Sequence, residues 1–120
     1  MTAVQDFPIP QGDDMDVTFA LDPTDNISLA NGPDIVFQVL ESEFGVVVPL
    51  LPPLISKDTH GGGVAVLDPP SLGYVVHLQA ADIAPLPPGN YYHQSVIFDA
   101  NGQRATVCQG SMCVTQSLPP

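Results

Sequence analysis

Apolar and polar side chains alternate at period two through most of this chain, and a helical period of useful length is found nowhere in it. From Asp13 to Asp22, Met15, Val17, Phe19 and Leu21 alternate with Asp14, Asp16, Thr18, Ala20 and Asp22, which predicts a strand with one wet face. Asp34 to Glu41 predicts a second strand, Ile35, Phe37 and Val39 opposing Val36, Gln38 and Leu40. Val64 to Leu67 and Gly73 to Gln79 predict two more, separated by Asp68-Pro69-Pro70-Ser71. Ile27 to Ala30 makes a short apolar crossing between turns, and Ala80 to Leu86 predicts one helical turn. Residues 1–12, with Pro8 and Pro10, read as an extended arm, and residues from about 115 to 120 as a short tail.

The last third is what the earlier strands must pack on or pair with. Pro88-Gly89 leads into Tyr91 to Phe98, Asp99-Ala100-Asn101-Gly102 reverses the chain, and Gln103 to Val114 returns. Asn and Gly accept the positive φ angles that a tight reversal needs. In a chain of 14 prolines, none falls between Gly89 and Val114, so this hairpin supplies the central strands. About seven to eight short strands with Pro, Gly, Asn and Asp turns predict an all-β fold, an antiparallel β-sandwich of immunoglobulin-like architecture. A small barrel or jelly roll fits the spacing too. Residues 1–120 form one domain in this reading.

Charge narrows the function classes. Two Lys/Arg stand against 13 Asp/Glu, for a net charge of −11, so phosphate backbones and anionic membranes would repel the chain. We therefore expect neither nucleic acid nor membrane as a partner. The start, Met1 to Asp6, lacks a basic region followed by an apolar one, which predicts synthesis into a cytoplasm. Only 12% of residues are charged while 44% are hydrophobic, which fits either a surface of uncharged Ser, Thr, Gln and Asn or one partly covered by other subunits.

Candidate chemistry is sparse. His60-Gly61-Gly62-Gly63 matches the oxyanion-hole loop of lipases, but the G-x-S-x-G nucleophile turn that must accompany it is missing. His60, His77, His93, Cys108 and Cys113 lack the close spacing of zinc ligands, apart from the cysteine pair itself. The two cysteines would stand about 16 Å apart along one strand, beyond the roughly 7 Å reach of a disulfide, so free thiols are expected. Their odd spacing sends them to opposite faces unless Gly110 makes a bulge. Asp13, Asp14, Asp16, Asp22, Asp25 and Asn26 offer oxygen ligands for calcium without the twelve-residue ladder of a calcium loop. Glycoside hydrolysis would need an aromatic-lined cleft, and the chain has no Trp. The expectation is a non-enzymatic protein with no catalytic residue, no cofactor and no metal.

Function then resides in surfaces. Val46, Val47, Val48, Leu50, Leu51 and Leu54 form an apolar stretch that the prolines at 49, 52 and 53 confine to an edge strand or loop. The strand from Tyr91 to Phe98 is apolar on both sides, with Tyr92, Val96 and Phe98 on the face opposite Tyr91 and Ile97. These eight residues (the six of the stretch, Tyr92 and Phe98) are the candidate protein interface.

Two motifs carry a resemblance. Ile9-Pro10-Gln11-Gly12-Asp13-Asp14, and Leu86-Pro87-Pro88-Gly89-Asn90-Tyr91 with Phe98-Asp99-Ala100-Asn101-Gly102-Gln103, Val107 and Gly110, resemble the opening and closing motifs of small β-sandwich domains in tailed-phage structural proteins. The N-terminal domain of phage upper-baseplate proteins belongs to that group. The Val46–Pro53 segment and Gly61–Gly63 have no counterpart in the pattern. The resemblance implies a virion component that binds capsid or tail subunits, as a capsid decoration protein or a tail or baseplate accessory, in a homo-oligomer or on a symmetric lattice. A carbohydrate- or receptor-binding adhesin module is the alternative.

Overall fold

A computed structural model describes residues 3–20, 32–43, 46–47, 53–67, 73–100 and 102–116. Among these it shows β1 (Ala3–Val4), β2 (Phe7–Pro10), β3 (Met15–Phe19), β4 (Asp34–Leu40), β5 (Ser42–Glu43), β6 (Val46–Val47) and β7 (Ile55–Asp58). After these come β8 (Val64–Val66), β9 (Tyr74–Leu78), the helical turn α1 (Ala80–Ile83), β10 (Gly89–Phe98) and β11 (Arg104–Thr115). The protein is all-β apart from that turn. The crossing expected at Ile27 to Ala30 and the C-terminal tail from Ser117 lie outside the described residues.

The proline-free hairpin occupies the middle of the larger sheet, whose order is β1–β11–β10–β4–β7, with β2 also on β11. β10 is antiparallel to both β11 and β4, and β7 closes the far edge after the proline-rich stretch. A second sheet, β3–β9–β8, is antiparallel, and β5 pairs with β6 in a two-stranded ribbon. One expectation is corrected here: the larger sheet is mixed. The N-terminal arm pairs parallel to β11, Ala3 opposite Cys108 and Phe7 opposite Met112. Pro8 and Pro10 fit because the arm is an edge, where a missing N–H breaks no inner ladder.

Side-chain alternation builds one core between the two sheets. Val17 and Phe19 from β3, Ile35, Phe37 and Val39 from β4, and Tyr74, Val76 and Leu78 from β9 are all buried in it. Phe7 and Ile9 from the arm, Ile55 from β7, Val64 from β8, Ile97, Val107, Cys108, Met112 and Val114 from the hairpin, and Ile83 and Leu86 around α1 complete it. The hairpin register steps between Ser95, opposite Cys108, and Val96, opposite Thr106. Val107 is therefore the extra residue of a β-bulge, not Gly110, and it lets Val107 and Cys108 both reach the core. Both cysteines are free, Cys108 buried and Cys113 half-buried on the other side of the strand.

Close backbone approach explains the glycine in β11. A Cβ on Gly110 would collide with the Gln5 carbonyl oxygen of the arm. There Gln5 N–H donates to Gln109 O at 2.9 Å, and the Asp6 carboxylate accepts the Ser111 N–H at 2.8 Å. The two resemblance motifs also meet. The Gln11 side chain donates to Leu86 O at 2.8 Å, the Tyr91 hydroxyl to Pro87 O at 2.6 Å, and Gly12 turns at φ 87°. Asp14 accepts the Ala80 N–H at 2.7 Å, so the opening motif also anchors the start of α1.

Gly110→Ala is expected to lower stability by about 2–3 kcal/mol in urea unfolding, because the arm must move off β11 to admit the methyl group. Gln11→Ala is expected to cost about 1 kcal/mol by the same measurement, leaving Leu86 O without its donor.

Candidate interaction surface

Because β4 and β10 bury every second side chain, the residues between them form the outer face of the larger sheet. The register aligns them in rows. Leu40, Tyr92 and Ser111 make one row, Gln38, Gln94 and Gln109 the next. Val36, Val96 and Thr106 follow, and then Asp34, Phe98 and Arg104. Across the three central strands the first three rows (Leu40 through Thr106) carry no charged residue, in a chain of net charge −11, although the Val36 row meets Asp58 on the edge strand β7. Charge appears in the fourth row, at one end.

Local contacts hold this face in shape. The Tyr92 hydroxyl donates to Gln109 Oε1 at 2.9 Å, fixing the ring across two strands. Burial pushes the Tyr92 phenol above its usual range, with the Cys108 thiol adding to it. The Arg104 guanidinium lies 5.8 Å from the centre of the Phe98 ring, close enough for a cation–π attraction of about 0.5–1 kcal/mol. Phe98 nonetheless stays 41% exposed, whereas Val96 beside it is 7% exposed. A shallow groove of about 320 Å³ adjoins the face along the arm, lined by Asp6, Phe7, Pro8, Asn90, Ser111 and Cys113.

The candidate interface residues separate accordingly. Tyr92 and Phe98 share the outer face. Leu54 is 43% exposed just before β7, its N–H donating to Val39 O at 2.8 Å. Val46 and Val47 form β6, paired with Glu43 and Ser42. Val48, Leu50 and Leu51 lie outside the described residues. Sequence reasoning missed the glutamine row and the contribution of β4. The available signal was that β4, like β10, is apolar at both parities.

The groups weighed for chemistry are engaged elsewhere. His77 Nδ1 lies 2.7 Å from Asp16 Oδ1, and His60 Nε2 lies 2.6 Å from Asp34 Oδ1. Asp14 anchors α1, while Asp22, Asp25 and Asn26 lie outside the described residues. Among the described residues no three His, Cys, Asp or Glu side chains converge as a metal site would need. His60–Gly63 is a turn between β7 and β8, where the Asp58 carboxylate accepts the Gly61 N–H and Gly62 has φ 83°. It borders a polar cleft of about 380 Å³ that includes Lys57, His77 and Gln79. Lys57 Nζ sits 2.8 Å from Asp82, and His77 Nδ1 faces Asp16, so both basic groups at the cleft already have a carboxylate partner.

Neither a protein-family model nor a curated protein matches this chain.

Proposed function

We propose that this chain is a non-enzymatic structural component of a tailed-bacteriophage virion. In this reading it is an immunoglobulin-like β-sandwich that docks on neighbouring capsid or tail subunits, as a decoration (cement) protein or a small tail or baseplate accessory. The observation that carries the docking role is the outer face of the larger sheet. Exposed Phe98 and half-buried Tyr92, Val36 and Leu40 stand on the adjoining strands β10 and β4 around an already buried Val96, and the first three rows hold no charge on the three central strands. Such a face loses little on desolvation, since glutamine amides can exchange water for partner groups and the apolar rows gain by burial.

Electrostatics supports the choice of that face. A net charge of −11 repels other acidic surfaces, and both cations are occupied, Lys57 by Asp82 and Arg104 over Phe98. An uncharged patch is where an acidic subunit can approach at least cost. The phage assignment rests on the two motifs, whose residues join the arm, α1 and the hairpin at one place. Placement on a virion, in a homo-oligomer or on a symmetric lattice, follows from that assignment.

Purified protein mixed with particles that lack it is expected to co-sediment with heads or with tails. A Tyr92→Ser/Phe98→Ser double variant is expected to bind at least about thirtyfold more weakly, with a native circular dichroism spectrum and an unfolding midpoint lowered but still well above the binding temperature, as for loss of an interface hot spot. Protein left in the supernatant with both particle types would overturn the reading. Specific capture on a glycan array would instead favour the adhesin alternative.

A further inference from the structure

The N-terminal arm is tied to the sheet by a residue that its partners leave no room to ionise. His93, in the middle of β10, is fully buried among Phe7, Phe19 and Phe37, with ring centres 5.0, 5.8 and 5.7 Å away. Its Nε2 is bonded to the carbonyl oxygen of Gln5, which lies in the arm between β1 and β2. A carbonyl can only accept, so Nε2 carries the hydrogen; burial, with no acceptor facing Nδ1 among the described residues, favours the neutral ring with its lone pair on Nδ1. Nδ1 is buried and has no hydrogen-bond partner among the described residues, and neither does Ser95 Oγ two residues on.

A proton arriving at Nδ1 would place a charged N–H in the core with nothing to accept from it. Moving the arm away would remove Phe7 and Gln5 from over the ring and admit water. We propose that β1 and β2 form a pH-sensitive latch, held shut by neutral His93 and released from the edge of β11 when His93 is protonated. Release would uncover the backbone of β11 from Cys108 to Thr115, a ready edge for pairing with another strand.

The groups around His93 do not offset this. Burial is the largest influence and lowers the His93 pKa below its usual value; the arm opposes it, the Gln5 carbonyl by its hydrogen bond and the Asp6 carboxylate by its charge, both favouring the imidazolium without offsetting burial. β11 contributes the Cys108 thiol, pushed up to about 11 chiefly by burial and therefore uncharged. β9 contributes the Tyr74 phenol, whose ring stacks on Phe19, and β3 and β4 present Phe19 and Phe37 to the ring. His60 and His77, paired to exposed carboxylates, lie outside this cluster.

The direction follows from linkage. Because the docked state binds the proton less readily than the released one, docking is strongest above the ordinary histidine pKa of about 6.5 and weakens as pH falls. The released population is expected to rise by up to about tenfold per pH unit below that value, until the lowered pKa of the docked state is reached.

Hydrogen–deuterium exchange of the full chain between pH 7.5 and 5 tests this, with rates corrected for intrinsic exchange. The peptide covering residues 3–10 is expected to lose protection on acidification while β4 keeps its own. His93→Gln, uncharged and still a donor to Gln5 O, is expected to abolish the slope, and His60→Asn with His77→Asn to preserve it. A flat wild-type profile, or an unchanged slope in His93→Gln, would overturn the latch. Should His93→Gln fail to fold, NMR titration of the wild-type ring decides: a docked-state pKa at or above about 6.5 would also overturn it.

Discussion

The rest of the structure depends on one ring contact set, centred on Phe19. It stacks on Tyr74 within its own sheet at 5.4 Å and reaches Phe37 at 5.9 Å and His93 at 5.8 Å in the other. Phe7 of the arm meets it edge-on at 6.3 Å. One side chain thus touches both sheets and the arm, at the tilted and edge geometries that aromatic quadrupoles favour. Burying each ring contributes about 1.5–3 kcal/mol. A buried imidazole nitrogen without a partner costs about 1–3 kcal/mol. The three phenylalanines around His93 together outweigh that cost, which is how a polar ring persists at the centre of an apolar cluster.

Placing the hairpin centrally has a second effect. A strand flanked on both sides by other strands has no free edge, so its outward side chains are crowded by cross-strand neighbours. Val96 is nearly buried on this face, and Tyr92 is half-buried there. Charge concentrates instead at ends and turns: Asp13 and Asp14 beside α1, Asp58 and Asp82 near Lys57, and Asp34 at the start of β4. The protein is strongly acidic while its broadest sheet face is almost uncharged.

Local signals were legible in the sequence, and long-range pairings were not. The strand read at Asp34 to Glu41 is β4, the helical turn after Leu78 is α1, and the turn at Asp99 closes through its own carboxylate and the Gln103 N–H at 2.9 Å. Each is specified by residues within a few positions of one another. The arm was read as extended but not as paired, because alternation says nothing about which strand lies alongside or in which direction. Gly110 drew attention as a bulge residue, yet its reason is the main chain of Gln5, brought close only by the fold. Of the interface residues, Tyr92 and Phe98 were visible as apolar side chains on the wrong parity. Gln38, Gln94 and Gln109 looked like ordinary polar positions until the register aligned them.

Asp6 and Ser111, joined by a hydrogen bond, are 105 residues apart in the chain. Because the arm precedes its partner strand by so long a stretch of chain, β1 and β2 have nothing to pair with until β11 has been made. Closing so large a loop is entropically slow, and sheets dominated by such contacts assemble late. Seating of the arm is therefore expected to come late in folding. Until then Phe7 and Ile9 are open to whatever other chain is nearby, which makes correct maturation sensitive to the local concentration of nascent copies.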